Sequence, residues 1–464
     1  MTGLFIVVAA LAFLMLAAYR GYSVILCAPI AAMGAVLLTD PSAVAPVFSG
    51  VFMERMAGFA QLYFPVFLLG AVFGKLIEIS GFSRAIVQAV LRLIGAERAI
   101  AAIVLVCAVL TYGGVSLFVV VFAVYPFAAE MFRQGGIPKR LMPGAIALGA
   151  FTFTMTALPG TPQIQNIIPT TFFDTTTWSA PWLGLTGALF TLAAGLAYLE
   201  WRRRRAAAAG ESYGAELRNE PVTPEGQPAH HPLVALLPLV VVGVANFLLT
   251  RWIPAWYPAD AAVELPGLPA PLPANASDRV ALWAVMGALI AGIATILLFS
   301  FKSVRAHFAE GSKSAVSGAL LASMNTAAEY GFGGVIAALP GFLLVADGLK
   351  AIPDPLAGEA VAVTALAGIT GSASGGMSIA LAAMAQTFAE NARAAGIPMD
   401  VLHRVAAMAS GGMDTLPHNG AVITLLAVTG LTHRQSYGDI FAITLISTLS
   451  VFLVIGVYYL TGLV

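Results

Sequence analysis

Charge is what this sequence has least of. Lys and Arg number 23, Asp and Glu 23, and together they make 10% of 464 residues. A soluble domain carries about 25%, so a soluble chain is excluded. The two signs cancel, which leaves no surplus for a polyanion and no nucleic-acid partner. Cysteine is nearly absent too. Cys27 and Cys107 both lie in apolar segments, so no structural disulfide is expected and neither speaks for a redox compartment. No Walker loop, no HExxH and no defensible Ser-His-Asp order occurs. The chain reads as no enzyme and calls for no cofactor. Its first residues, Met1-Thr2-Gly3-Leu4, lack a basic region, so residues 3–18 read as a first span and not as a removed signal peptide.

Apolar sequence is what the chain has most of: 59% of residues are hydrophobic and the mean hydropathy is +0.88. Runs of 16 or more apolar residues cover 3–18, 23–38, 181–199, 233–250, 280–300 and 439–461. Each suffices for a hydrocarbon core of about 30 Å. The expectation is an all-α polytopic membrane protein; a barrel would alternate polar and apolar residues. Two polar stretches interrupt it. Residues 202–231 open on Arg202-Arg203-Arg204-Arg205 and turn Glu- and Pro-rich, which suits a solvated cytoplasmic linker. Residues 251–279 carry six prolines and few charges, which suits an external loop.

Propagation from the four arginines places Arg20, Lys75, Arg84, Arg92, Arg98, Arg133, Lys139, Arg140, Lys302, Arg305 and Lys313 inside, and both ends of the chain outside. Residues 315–348 then run outward, and Ser83 to Gly95 reads equally as an interfacial or a connecting helix. Residues 99–131 must begin and end inside. As one helix they would run about 50 Å, so they read as a re-entrant hairpin.

A motif written twice gives the organisation. Gly113-Gly114-Val115-Ser116 recurs as Gly375-Gly376-Met377-Ser378. Gly-Ile-Pro follows each, 23 and 21 residues on, and Leu-Pro follows that after 22 and 20 more, as Leu158-Pro159 and Leu416-Pro417. Matching helix-breaking sequence in two apolar parts predicts inverted-topology repeats, each of five crossings and one re-entrant hairpin, with broken helices at the midplane. The first repeat spans 1–201, with hairpin 99–131 and broken helix 141–177. The second spans 232–464, with hairpin 359–389 and broken helix 405–432.

The hairpin tips, 111–116 and 371–378, and the two breaks are the expected site. Free amides at helix N-termini suit a carboxylate, and carbonyls freed by proline suit a cation. The candidate substrate-binding residues are Tyr112, Gly113, Gly114, Ser116, Thr161, Gln163, Gln165, Asn166, Ser374, Gly375, Gly376, Ser378, Thr415 and Asn419. Gly-Gly also serves close helix crossings, and buried amides also join helices; those readings stand beside the first. Asp414, His418 and Glu329 are the ionisable candidates for proton coupling. A satisfied structural pair is the alternative for the first two, and scaffold for Glu329, which lies outside the four elements.

With its Gly-Gly tips, its Leu-Pro breaks and the segment Gly411 to Gly430, the chain resembles the gluconate permease (GntP) family of the ion transporter superfamily. The resemblance covers essentially the whole chain. Gluconate permeases show a Pro-Pro-His-Pro-Gly-Pro type run at the first break. Here Leu158 to Asn166 has no histidine, and the run looks more like the 3-hydroxybutyrate-type branch. The resemblance implies a secondary active symporter that takes up a small hydroxy-monocarboxylate with H⁺ by an elevator-type motion. It also implies a homodimer in the bacterial cytoplasmic (inner) membrane. A gluconate- or citrate-type carrier coupled to Na⁺, or an uncoupled channel, are the alternatives.

Overall fold

The computed structural model describes residues 2–20, 22–95, 98–115, 117–214, 218–220, 230–258, 261–267, 269–270, 272–273, 276–342, 344, 352, 354–417 and 419–464. They fold almost wholly into helices, as expected where backbone groups meet no water and must be satisfied within each segment. The exception is a two-residue antiparallel ladder, with Ala262 opposite Pro273 and Val263 opposite Leu272. Among the described residues five helices are long and apolar enough to cross a membrane: Pro41–Ile79, Pro181–Ala208, Pro232–Trp256, Arg279–Ala338 and His433–Thr461. This is a multi-pass membrane protein.

The helix Ala276–Ala338 runs 63 residues, about three bilayer cores in length if it were straight. It is not straight. Ser300 leaves helical geometry at φ −138°, ψ 31°. Before it, Gly292 packs on Phe73. Near the bend, Ser303 Oγ donates to Ile79 O at 2.8 Å. Beyond it, Gly331 packs on Phe52 and Gly334 on Arg55. The contacts climb the helix Met53–Ile79 to its end and then return along it, so the chain doubles back at Ser300. The expected pair of segments, 280–300 and 315–348, is thus one helical run with a sharp bend.

Both hairpins form. The first is Ala99–Tyr112, a turn at Gly113-Gly114, and Leu117–Gln134. The second is Pro355–Thr370, a turn at Gly371-Ser372, and Ala373–Ala394. Gly114 (φ +92°) and Gly371 (φ +64°) make the reversals in the left-handed region that favours glycine. The second reversal thus precedes Gly375-Gly376, which lie in the first turn of the following helix. The broken helices are Met142–Ala150, Phe153–Thr156, Ile164–Ile167 and Thr170–Phe173 in the first case. In the second they are Met399–Ser410 and Gly420–Thr429. Phe82–Ile94 is a helix whose Phe82, Ala85, Ile86 and Val87 are buried while Leu93 stands exposed.

The stretch 202–231 departs from the expected solvated linker. The helix Pro181–Ala208 carries all four arginines, and Arg202 Nε bonds Asp439 Oδ1 at 2.6 Å. Beyond it the chain docks. Arg140 pairs with Glu211 at 2.9 Å. Glu220 receives Lys139 Nζ at 2.6 Å and Arg133 at 2.5 Å. Asn219 Nδ2 donates to Ala427 O at 2.8 Å, while Tyr125 OH donates to Asn219 O at 2.6 Å. Residues 211–214 and 218–220 therefore strap the first hairpin to the helix Gly420–Thr429. Polar composition signals solvation only where no partner charge awaits it, and here Arg133, Lys139 and Arg140 supply one.

Candidate functional site

Each hairpin turn is bonded to the break that follows it. Tyr112 OH donates to Pro159 O at 3.0 Å and Gln163 Nε2 to Thr111 O at 2.7 Å. Gly114 packs on Pro162. In the second half, Asn419 Nδ2 donates to Gly371 O at 2.9 Å, and Gly368 packs on Met413.

The two breaks share one local device. Asn166 N–H bonds Gln163 O, and its Nδ2 reaches back five residues to Thr161 O at 3.1 Å. Asn419 N–H bonds Leu416 O, and its Nδ2 reaches back five residues to Asp414 O at 3.0 Å. By this geometry Asn166 matches Asn419 and Thr161 matches Asp414. The Leu-Pro dipeptides fall at different places relative to that device: Pro159 lies seven residues before its asparagine and Pro417 two.

The breaks also meet each other. Gly411 packs on Thr156. From the helix Met399–Ser410, the fully buried Arg404 crosses to the first break. Its Nη1 donates to Thr156 O and to Asn166 Oδ1, each at 3.0 Å. Its Nη2 donates to Ser179 O at 2.7 Å. His403 Nε2 donates to the same Asn166 oxygen at 3.2 Å, and its Nδ1 pairs with Thr175 Oγ1 at 2.7 Å. First hairpin, first break, second break and second hairpin thus form one continuous chain of contacts.

The expected site residues divide by what their polar atoms do. Asn166 and Asn419 spend their side chains on the protein itself: Asn166 Nδ2 also bonds Thr177 O at 2.8 Å, and Asn419 Oδ1 caps Val422 N at 2.9 Å. Thr415 Oγ1 bonds Thr444 Oγ1, and Ser374 Oγ pairs with Thr326 Oγ1 at 3.3 Å. Gly113 admits Leu239, and Gly376 lies against the backbone of Ala367; both are close crossings. In contrast, Thr161 Oγ1, Gln165 Oε1, Ser378 Oγ, Asp414 Oδ1 and Glu329 Oε2 are buried with no hydrogen-bond partner among the described residues. A native buried oxygen without a partner is uncommon and asks for a reason. Ser116 and His418 lie outside the described residues.

Glu329 is placed differently from the expectation that it lies outside the four elements. A Cβ on Gly375 would fall 1.7 Å from Glu329 Oε2. The carboxylate therefore rests on the first turn of the helix Ala373–Ala394, where Ser372 Oγ caps Gly375 N at 3.0 Å. Helical spacing from Thr326, which meets Ser374, made the contact readable only once the partner helix was known.

Sequence reasoning missed His403, Arg404, Asn325 and Glu359, and it placed Thr111 in the first tip without naming it as a binding residue. Thr111 Oγ1, Asn325 Oδ1 and both carboxylate oxygens of Glu359 are buried and unpartnered among the described residues. Ionisable residues inside an apolar segment were the available signal. Arg404 escaped because the second broken helix was drawn from 405, although the helix starts at Met399. Among the described residues no group of three or more His, Cys, Asp or Glu is placed to hold a metal ion.

Over 471 aligned positions the chain is 60% identical to "Uncharacterized transporter YxjC" of Bacillus subtilis (strain 168), covering 99% of this chain and all of that one. This chain belongs to the same transporter family. No protein-family model matches it. Among solved structures, MtrF of Neisseria gonorrhoeae, described as illuminating a class of antimetabolite efflux pumps, is 15% identical at a TM-score of 0.52. The match covers 89% of this chain and 84% of MtrF. At that identity the likeness is one of fold. The YdaH transporter of Alcanivorax borkumensis is 13% identical at a TM-score of 0.49, covering 92% of this chain and 90% of that one. The membership and the broken-helix architecture together make the protein a membrane transporter.

Proposed function

We propose that this transporter is a secondary active symporter that imports a small hydroxy-monocarboxylate, of the 3-hydroxybutyrate or sugar-acid kind, together with H⁺. The observation that carries the reading is the set of buried, unpartnered oxygens on Thr161, Gln165, Ser378, Asp414 and Glu329, on elements joined through the hairpin turns and breaks. Hydroxyl and amide groups in that setting suit hydroxyls, and the capped N-terminus at Ala373 suits a carboxylate. Asp414 and Glu329 are the groups that could exchange a proton, with His418 close to Asp414 in sequence.

In this reading Asn166 and Asn419 brace the breaks, while Thr161 and Ser378 touch cargo. The repeats are inverted, the hairpins enter from opposite sides, and the hairpins with both breaks travel as one elevator body in the cytoplasmic membrane, in a homodimer. The resemblance to gluconate permeases supports the acid class, and the missing histidine at the first break supports the 3-hydroxybutyrate branch. A gluconate- or citrate-type carrier coupled to Na⁺ is the second reading.

Reconstituted protein tests this with labelled 3-hydroxybutyrate. The expected result is saturable uptake, counterflow, and accumulation driven by an inward proton gradient. Asp414→Asn or His418→Gln should abolish accumulation and leave exchange of labelled for unlabelled substrate. Accumulation that follows Na⁺ alone, or flux that never saturates, would sink the proton-symport reading.

A further inference from the structure

Arg404 presents a charge that the proposed mechanism leaves unused. It is fully buried and sits between the two breaks. Among the described residues no carboxylate lies within ion-pair distance of it. Asp400, one turn earlier on the same helix, is only partly buried and makes no ion pair with it. Its guanidinium instead gives four hydrogen bonds to uncharged oxygens: two to Ser179 O, one to Thr156 O and one to Asn166 Oδ1. Such an arrangement satisfies the N–H groups, and Asp400, one turn away, acts on the charge only from beyond ion-pair distance.

Burying a cation without a counterion is expensive. A brace alone would not need it, because an amide or hydroxyl could bridge the same carbonyls. Meanwhile Asn166, which accepts from Arg404, donates to Thr161 O, and Thr161 Oγ1 is one of the unpartnered oxygens. A single side chain therefore separates the guanidinium from the backbone of Thr161, the residue that carries the first break's free hydroxyl. His403 donates to the same Asn166 oxygen, which adds polarisation of the same sign.

We infer that Arg404 is the fixed interior cation that makes the site select anions: it stands behind the first break as a positioning residue and offsets the cargo's carboxylate through Asn166 and Thr161 without touching it. The inference rests on the reading that the cargo is an organic anion. Low local dielectric lets a charge act across one side chain. An interaction equal in ground and transition states alters KM and leaves kcat.

Wild type, Arg404→Lys and Arg404→Met are compared in proteoliposomes with labelled 3-hydroxybutyrate, with 3-hydroxybutyramide as a neutral competitor. The expected result for Arg404→Met is a KM raised at least about tenfold, kcat within about threefold, and lost discrimination between acid and amide. Arg404→Lys loses the forked hydrogen bonds and keeps a charge only where the buried ammonium holds its proton; it is the second variant should Arg404→Met not fold, and any loss of affinity it shows should fall on the acid and spare the amide. A loss of affinity that falls equally on acid and amide in either variant overturns the inference, because geometry and not charge is then what matters. Wild-type KM in Arg404→Met overturns it as well. If wild type carries neither acid nor amide, the anion reading itself has failed and this inference falls with it; that case is recognised by inactivity before any substitution.

Discussion

Gly375 shows how much one missing methyl group decides. Its motif partner by sequence is Gly113, yet the two do different work: Gly113 admits an apolar side chain and Gly375 seats a carboxylate. A Cβ there would meet Glu329 Oε2 at 1.7 Å, so Gly375→Ala must push Glu329 away or strain the hairpin. The expected cost is about 1–3 kcal/mol, as for other overpacked interiors, read as a lowered midpoint of thermal unfolding in detergent. Glu329→Ala in the same background should return most of it. Equal melting of Gly375→Ala and wild type would show that the carboxylate has room to move.

At the scale of elements, the breaks are held by side chains from elsewhere more than by their prolines. Asn246 Nδ2, on the helix Pro232–Trp256, donates to Gly160 O at 3.0 Å, and Arg404 takes two further oxygens of the same region. The strap of residues 211–214 and 218–220 is the second such case. Burial pushes the Glu220 carboxyl up, but hydrogen bonds from Lys139 and Arg133 outweigh it and hold the group below its ordinary 4.5. A depressed carboxylate contributes stability that is complete above the unfolded value and is lost as pH falls through the folded one. The strap should therefore stay docked at neutral pH and loosen below the ordinary carboxylate range. Hydrogen exchange of residues 211–214 and 218–220, corrected for intrinsic rate between about pH 2.5 and 7, should show that rise. Glu220→Gln should exchange fast throughout; if it exchanges as wild type does at pH 7, the ion pairs do not hold the strap.

For the whole molecule, contacts sort the helix ends into two groups. One group is the ends that carry basic residues: Ser80 and Ile79 meet Ser300 and Ser303 at the bend, close in sequence to Lys302 and Arg305, and Arg140 and Arg202 pair with Asp439 beside the strap. Gly3 packs on Gly341 at another end, reached from Ser300 along the arm that returns beside Met53–Ile79. The first group is the basic one, which the positive-inside rule puts in the cytoplasm. We therefore expect single cysteines at Thr2 and at Gly462 to label from outside, in a background lacking Cys27 and Cys107, and cysteines near Lys139 and Arg205 to label only after permeabilisation. Labelling of 84–98 and 133–140 from opposite faces would remove the first re-entrant hairpin.

The sequence by itself determined the solvent, the helical class and the places where helices must stop. Those follow from composition and from Gly and Pro, whose effects are local. It also ranked Asp414 and Glu329 by the cost of an ionisable group in an apolar run. It could not decide register or partnership. That Asn166 matches Asn419, that the second reversal falls at Gly371 and not at Gly375, and that a polar linker docks are all set by contacts between residues far apart in the chain. The same holds for Arg404, whose meaning lies in oxygens more than two hundred residues away. Local rules fix where a backbone bends; only packing determines which carbonyls the bend exposes and which charge stands behind them.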